Sequence, residues 1–296
     1  MMKHGLLVVG MGVLILGLST PAWPAKVAVL IPENRIPAGE DPINDPLSKQ
    51  AVLDMLESMG DVGILWLIHH LENDLGHIVN IYGTDTDDPG FVENDNDLIF
   101  ITEEIGSGTV AGDYRIATKP VIFTESYLLD DMGFTNGASA FTGGAMTNEI
   151  KIVNPNHPIT QGMPETLAIT QIDSFTGRPY MVTFGTLTDL SILADVGEIL
   201  AVLPESVNES SNGDPLPENA PILIAVEAGT PLDRGDTNPA RWVFLGYSDV
   251  DPNDLYDGDP TTRTLSVLND LGIQLLDRSI AWALGTLTRI PDWPLR

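Results

Sequence analysis

The chain has 296 residues, of which 43% are hydrophobic. Length and composition exclude a disordered chain and allow one large domain, or two small ones, with a substantial core. The chain contains no cysteine, which excludes disulfide bonds, thiolate catalysis and cysteine metal sites. Its formal net charge of −28 would repel nucleic-acid phosphates, so we expect no nucleic-acid partner.

The acidity of the chain has two explanations. One is a solvated acidic surface suited to salty water, which screens the repulsion between carboxylates. The other is the binding of a divalent cation such as calcium in acidic loops. Composition alone leaves both open.

Residues 1–25 have the pattern of a secretory signal peptide. Lys3 is followed by the apolar run LLVVGMGVLILGL and then by STPAWPA, which offers cleavage after Ala22 or after Ala25. The run is shorter than the ~20 residues needed to span a bilayer. We therefore expect a secreted or periplasmic protein with no stable membrane span after cleavage. An exported protein without disulfides also suggests a bacterial envelope.

The first half of the remaining chain alternates short apolar runs with helical patterns. Continuously apolar runs predict parallel strands that are buried on both faces. The predicted strands are KVAVLI (26–31), HIVNIYG (77–83), LIFITEE (98–104) and KPVIFTE (119–125). The predicted helices are PLSKQAVLDMLESMG (46–60), with Asp45 suited to cap its start, and GILWLIHHLENDLG (63–76).

The second half begins with a change of pattern. NEIKIVNPNHPITQGMPETLAIT (148–170) predicts two short strands around a proline-rich turn, a small antiparallel excursion. Further strands are predicted at SILADV, EILAVL, PILIAVEAG and ARWVFLGY, and an amphipathic helix at TRTLSVLNDLGIQLLDRSIAWALG (262–285). Residues 26–286 thus predict one three-layer α/β domain with a mostly parallel sheet flanked by helices, and residues 287–296 a C-terminal tail.

Several of these segments carry a family resemblance when they are taken together and in order. They are KVAVLI, LGHIVNIY, DLIFITEEIGSGTV, KPVIFTESYLLDDMG, NPNHPITQGMP, RWVFLGY and LLDRSIAWALG. In them the chain resembles the glutamine-amidotransferase-like superfamily, near the trehalose-utilisation-type proteins and related uncharacterised exported bacterial domains. The resemblance implies a flavodoxin-like α/β fold. Amidotransferases of this fold use a cysteine after a strand, paired with a histidine; since this chain has no cysteine, we do not expect that activity.

Three glutamates follow the third and fourth predicted strands. Glu103 and Glu104 end the third strand, and Glu125 ends the fourth. If these strands are neighbours, the carboxylates share the edge of the sheet where ligands bind in parallel α/β folds. They could then bind a cation, form hydrogen bonds with sugar hydroxyls or act as acid and base. The competing interpretation is that they are solvated loop carboxylates or helix caps.

Two serines are weaker candidates for ligand binding. Ser107 lies in the Gly-Ser turn GSGT, whose backbone amides could cradle an anion. Ser126 stands where a nucleophile would follow the fourth strand, but its neighbours are bulky for a tight turn. A serine nucleophile also needs a base. His157, in the turn NHPIT, fits the stabilisation of that turn better.

The segment DVDPNDLYDGDP (249–260) is a candidate calcium loop. Asp249, Asp251 and Asn253 match the first three ligand positions of an EF-hand. The sixth position is Asp254 instead of glycine, and the twelfth is Pro260 instead of glutamate. The segment is therefore not an EF-hand, and only a looser calcium site remains, here or at Asp85-Asp87-Asp88.

Three functional hypotheses follow from the sequence. The first is an exported envelope module of this fold, without amidotransferase activity, that binds a carbohydrate or another small molecule. The second is a carbohydrate-active hydrolase with Glu103, Glu104 or Glu125 as acid and base, with or without a divalent cation. The third is an acidic surface or assembly protein in which the fold is a scaffold. Whether the protein is an enzyme stays open at this point.

Overall fold

The computed structural model describes most of the chain after the predicted signal peptide. The described residues are 24–43, 45–84, 89–103, 105–110, 112–135, 145–187, 189–193, 196–210, 213, 215–232, 235–248 and 264–287. Among them no helix has the length and apolar content needed to cross a bilayer. The predicted signal sequence up to residue 23 and the tail from residue 288 lie outside these ranges.

Twelve strands and six α-helices are present in these ranges. The strands are β1 (Lys26–Ile31), β2 (Ile78–Gly83), β3 (Leu98–Ile101), β4 (Val121–Phe123), β5 (Ala145–Thr147), β6 (Glu149–Ile152), β7 (Thr166–Ala168), β8 (Val182–Phe184), β9 (Glu198–Val202), β10 (Pro221–Val226), β11 (Trp242–Leu245) and β12 (Tyr247–Ser248). The helices are α1 (Pro46–Met59), α2 (Val62–His69), α3 (Pro89–Asp95), α4 (Ser107–Val110), α5 (Leu128–Asp131) and α6 (Asp270–Ala283).

The described strands form one mixed sheet and one small antiparallel sheet. The large sheet has nine strands in the order β2-β1-β3-β4-β11-β10-β9-β6-β7, and the small one has the order β12-β8-β5. In the large sheet β2, β1, β3, β4 and β11 run parallel to one another. If β11 is counted as the fifth of these parallel strands, their order is 2-1-3-4-5. This is the order of flavodoxin-like sheets, which the resemblance implied for this half.

The other half of the sheet corrects the prediction of a mostly parallel sheet with a small antiparallel excursion. β10 is antiparallel to β11 and to β9, and β6 is antiparallel to β9 and β7. Antiparallel pairing therefore accounts for as many of the neighbouring pairs as parallel pairing does. The excursion at β6 and β7 was predicted correctly; the direction of β9 and β10 was not. Their runs EILAV and PILIAV are as apolar as parallel strands, since this half of the sheet is also buried.

Burial on both faces explains the continuous apolar runs. In β1 the side chains of Val27, Val29 and Ile31 belong to one buried cluster, which also contains residues of α1, α2 and α6. Ala28 and Leu30 belong to a second cluster, with residues of α3 and α5. Successive side chains of a strand point to opposite faces, so each face of the sheet is covered by its own apolar cluster. The three-layer arrangement stays a prediction.

Side-chain caps define where the long helices begin. Asp45 accepts a hydrogen bond from the amide of Leu47 at the start of α1, as its position before the helix predicted. At the end of α1, Gly60 has a φ of 77°, a left-handed conformation that favours glycine. α2 continues into a π-helical turn over His70–Asp74, so the predicted second helix is present.

Two other predictions were wrong in detail. The predicted strand SILADV (191–196) starts instead in a 3₁₀ turn, Leu190–Ile192, where Asp189 accepts a hydrogen bond from the amide of Ser191; residues 194–195 lie outside the described residues. The C-terminal helix begins at Asp270 rather than near residue 262. Asn269 caps it, and Thr264–Val267 form a separate 3₁₀ turn.

Asn269 also links α6 by hydrogen bonds to the end of β7 and the residues after it. The loss of its side chain should therefore give a measurable loss of stability. Its Oδ1 accepts from the amides of Leu271 and Gly272, and its Nδ2 donates to the carbonyls of Ala168 and Thr170. We expect Asn269→Ala to lower the free energy of unfolding by about 2 kcal/mol in urea denaturation, because it loses both the cap and the amide bonds. Asn269→Asp keeps the capping oxygen and should lose less. Equal losses in the two variants would contradict the cap, and an unchanged stability of Asn269→Asp would contradict the tie between α6 and the loop after β7.

Candidate functional site

Three neighbouring parallel strands end at the same edge of the sheet. β3 pairs with β4 through Ile101 and Phe123, and β4 pairs with β11 through Phe123 and Phe244. The carboxyl ends of these strands therefore lie side by side. Shortly after them the chain reaches Glu103, Glu125 and Ser248. In open α/β sheets this edge is where ligands bind.

Glu125 is buried, which overturns its interpretation as a solvated loop carboxylate. Only 6% of the residue is exposed. The pKa of Glu125 is raised to about 8, mainly by burial and to a lesser extent by the nearby negative charge of Glu103. A hydrogen bond of 2.7 Å from the amide of Tyr127 to Oε1 of Glu125 acts in the opposite direction. At neutral pH this carboxyl is therefore mostly protonated, and it has a hydroxyl hydrogen to donate.

Glu103 lies close enough to Glu125 for its charge to raise the pKa of Glu125, and it is hydrogen-bonded to Ser248 of β12. The hydroxyl of Ser248 donates a hydrogen bond of 2.6 Å to Oε1 of Glu103. Both residues are half-buried. A hydroxyl that donates to a carboxylate makes a short and strong bond, so this contact fixes the direction of the Glu103 carboxylate. The sequence prediction missed Ser248, because only the pairing of β11 with β4 brings it to the edge.

The small antiparallel sheet accounts for the burial of this corner. The amide of Gly185, directly after β8, donates to the carbonyl of Gly246, the residue between β11 and β12. Gly185 lies directly against the Ser126 side chain, since a Cβ on Gly185 would overlap the Cβ and Oγ of Ser126. The close approach of backbone to side chain therefore requires glycine at this position. Ser126 is itself only 7% exposed, and the described residues give its hydroxyl no catalytic base.

His157 is not brought to Ser126. Its Nδ1 accepts a hydrogen bond from the amide of Ile159, so it stabilises its own turn as predicted. Its ring lies 5.1 Å from the ring of Trp282. Arg241, whose guanidinium lies over Trp282, accepts through its carbonyl from the amide of Val121, the first residue of β4. His157 therefore lies toward the amino end of β4, and Ser126 follows its carboxyl end.

Of the remaining sequence candidates, only Ser107 lies within the described residues. It is half-buried and is the first residue of the four-residue helix α4. Candidates that lie outside the described residues are Glu104, the possible calcium ligands Asp249, Asp251 and Asn253, and the acidic triplet Asp85-Asp87-Asp88. The described part of the chain holds no group of three or more histidine and acidic side chains suited to a metal ion.

Comparison with known proteins finds solved structures to which the chain is similar. The chain is similar to the crystal structure of a ThuA-like protein from Bacteroides uniformis, with 11% sequence identity and a TM-score of 0.46 over 88% of this chain and 91% of that chain. At this level of identity and overlap, nothing about activity follows from the likeness. No family model matches the chain, and no curated protein does.

The raised pKa of Glu125 makes the stability of the protein depend on pH. The unfolded chain releases this proton near pH 4.5, whereas the folded chain keeps it until about pH 8. The folded state therefore binds more protons over this interval, and the free energy of unfolding falls as the pH rises through it. The shift corresponds to at most about 5 kcal/mol.

We expect Glu125→Gln to remove this pH dependence, because the amide is uncharged at every pH. Urea denaturation should give similar free energies of unfolding for the wild type and the variant near pH 4. Above pH 8 the variant should be the more stable by a few kcal/mol. Glu149→Gln, at an exposed glutamate of β6, controls for the loss of one carboxyl. A constant difference between wild type and Glu125→Gln across this range would contradict the assignment.

Proposed function

We propose that the protein binds a small polyhydroxylated molecule of the carbohydrate class at the carboxyl edge of β3, β4 and β11. One observation carries the proposal: buried Glu125, with its raised pKa, lies beside Glu103. A protonated carboxyl donates a hydrogen bond, and an ionised one only accepts. Two neighbouring sugar hydroxyls can each donate and accept, so they match such a pair.

The charge pattern also supports a neutral ligand. A carboxylate ligand would face the charge of Glu103, and the net charge of −28 disfavours anions over the whole surface. A neutral polyol has no such repulsion to overcome. Ser248 holds the Glu103 carboxylate through its hydroxyl, so part of the site is oriented before the ligand arrives, which lowers the entropic cost of binding.

The setting of this module is a proposal as well. The signal-peptide pattern at residues 1–25 motivates export to the periplasm or the medium. The lack of cysteine removes the thiol nucleophile on which amidotransferase chemistry depends. We therefore propose an exported carbohydrate-binding member of the amidotransferase-like fold that has no amidotransferase activity.

Ligand binding should depend on the protonation of Glu125. A thermal-shift screen of small sugars and glycans at pH 6.5 is expected to find a saturable ligand, whose affinity falls at least tenfold above pH 9 as Glu125 ionises. Glu125→Gln presents both an amide donor and an amide acceptor, so it should keep the affinity at both pH values. Glu103→Gln should lose about tenfold, because a hydrogen bond to a charged acceptor is lost. Glu149→Gln is the matched control. Binding that is equally strong in Glu103→Gln, or a pH dependence that persists in Glu125→Gln, would contradict this site.

The same pair of carboxyls favours a second candidate, a carbohydrate hydrolase. A general acid works best with a pKa near the working pH, and a partner carboxylate can act as base or nucleophile. Glu125 would protonate the leaving oxygen, and Glu103 would act on the opposite side of the bond.

Glu125→Gln separates the two functions. An amide cannot deliver a proton to a leaving group but can still hold a hydroxyl. If the protein is a hydrolase, activity on chromogenic glycosides should fall by 10²-fold or more in this variant, with binding retained, and the wild-type rate should decline above pH 8. If the wild type cleaves no glycoside and still binds a sugar, the hydrolase candidate is excluded and the binding function stands.

A further inference from the structure

A cavity of about 500 Å³ lies at the other edge of the parallel strands. Four of its lining residues, Ala25, His77, Asp97 and Pro120, immediately precede β1, β2, β3 and β4. The last turn of α6 closes another side. The cavity shares no residue with the glutamate pair at the carboxyl edge, so it is a separate feature of the fold.

The wall of the cavity is mainly aliphatic. The apolar lining residues are Pro24, Ala25, Leu75, Pro120, Ile280, Ala281 and Leu284. Cavities of this size with an apolar wall and a few polar groups are typical of small-molecule sites. The polar groups therefore decide what kind of molecule fits.

His77 is one of these groups, and its protonation is determined by its surroundings. Its Nδ1 lies 3.3 Å from the amide nitrogen of Ala25 and accepts that hydrogen bond, so Nδ1 carries no proton. The pKa of His77 is lowered, mainly by burial. The charge of Asp277 acts against this lowering, and the charge of His70 adds to it. The ring is therefore neutral at neutral pH, with its proton on Nε2, and it adds no positive charge to the cavity.

Asp277 is the second group, and a buried histidine fixes its position. Its Oδ1 lies 2.7 Å from Nε2 of His70, whose Nδ1 lies 2.8 Å from Asp74. The His70 ring is also stacked on Trp66 with centroids 4.7 Å apart. Burial lowers the pKa of His70, but the hydrogen bonds and charges of Asp277 and Asp74 raise it above its usual value. No described residue donates a hydrogen bond to Oδ2 of Asp277, which leaves this oxygen for a ligand.

The electrostatic character of the cavity is negative. Asp97 and Asp277 line it, whereas no lysine or arginine does. The carboxyl end of the 14-residue helix α6 is also there, and the helix macrodipole places a partial negative charge at this end. Of the basic side chains nearby, Lys26 pairs with Asp95, whereas Arg241 pairs with Glu227 and also donates to the carbonyl of Trp282 in the last turn of α6, where it offsets part of that charge.

We propose that this cavity binds a compact apolar molecule that carries one protonated amine. The apolar body would lie against the aliphatic wall, and the ammonium group would donate to Asp277, near the end of α6. An anion would be repelled by both aspartates. A neutral molecule of the same shape would gain only the apolar contact. Charge selectivity for the cation is therefore the signature of the site.

Benzylamine and benzyl alcohol test the proposal, because they have nearly the same shape and differ in charge at pH 7. Isothermal titration of purified protein that begins at Trp23, and so retains Pro24 and Ala25 of the cavity wall, should show saturable benzylamine binding at least tenfold tighter than that of benzyl alcohol. Asp277→Asn should weaken benzylamine at least tenfold and leave benzyl alcohol nearly unchanged. Asp270→Asn, at an exposed acid on the same helix, is the charge-matched control and should leave both affinities unchanged.

A second variant tests the cavity without touching its charges. Ala281→Leu fills the space from α6 and should abolish binding of both compounds, with the fold monitored by circular dichroism. The proposal is overturned by the absence of saturable benzylamine binding, by equal affinity for the two compounds, or by binding that survives in Ala281→Leu. An equal loss in Asp270→Asn and Asp277→Asn also overturns it, since it would show a diffuse attraction to an acidic surface.

Discussion

The pairing of β4 on both of its sides is the constraint on which the rest of the sheet depends. This strand has only three residues, all of them fully buried, and it is hydrogen-bonded in parallel to β3 and to β11. The ring of Phe123 lies 5.5 Å from that of Phe134 and 5.4 Å from that of Phe244. Because β11 pairs directly with β4, the antiparallel strands of the large sheet that lie between them in sequence, β6, β7, β9 and β10, are found beyond β11, on one side of the parallel half.

The unusual protonation of Glu125 is a consequence of that arrangement. Glu125 comes two residues after this fully buried strand, so its carboxyl lies at the edge of the sheet and is still surrounded by protein. β12 follows β11 after a single glycine, and its partner β8 brings Gly185 against the neighbouring Ser126. Glu125 is thereby largely shielded from solvent, and the charge of Glu103 adds to the cost of ionising a second carboxyl there. The general acidity of the chain acts in the same direction.

The sequence predicted the elements better than their directions. Apolar runs located nearly all strands of the large sheet, and Asp45 located the start of α1, because both signals are local. The antiparallel direction of β9 and β10 is decided by which neighbour each strand meets, and a buried strand looks equally apolar in either direction. The segment SILADV shows a further limit: a single capping aspartate, Asp189, outweighs a weak strand pattern.

The candidate site shows the same division between local and distant information. Glu103 and Glu125 were predicted to share an edge if their strands were neighbours, and the strands are neighbours. The burial of Glu125 and the contribution of Ser248 were not predictable, since they come from segments about 60 and 120 residues further along the chain. The cavity at the amino edge had no sequence signal at all. Its lining comes from the residues just before four strands and from the end of α6.

The two proposed sites lie at opposite ends of one strand, and this separation has an energetic consequence. Pro120 lines the amino-edge cavity and Glu125 follows the carboxyl end of β4. At about 3.3 Å per residue, the extended chain from Pro120 to Glu125 spans about 16 Å. Substitutions this far apart that share no partners usually have additive effects. A strand that is fully buried and paired on both sides has no second arrangement through which one ligand could bias the other. The two sites should therefore bind independently, with neutral hydroxyls recognised at one edge and a cation at the other.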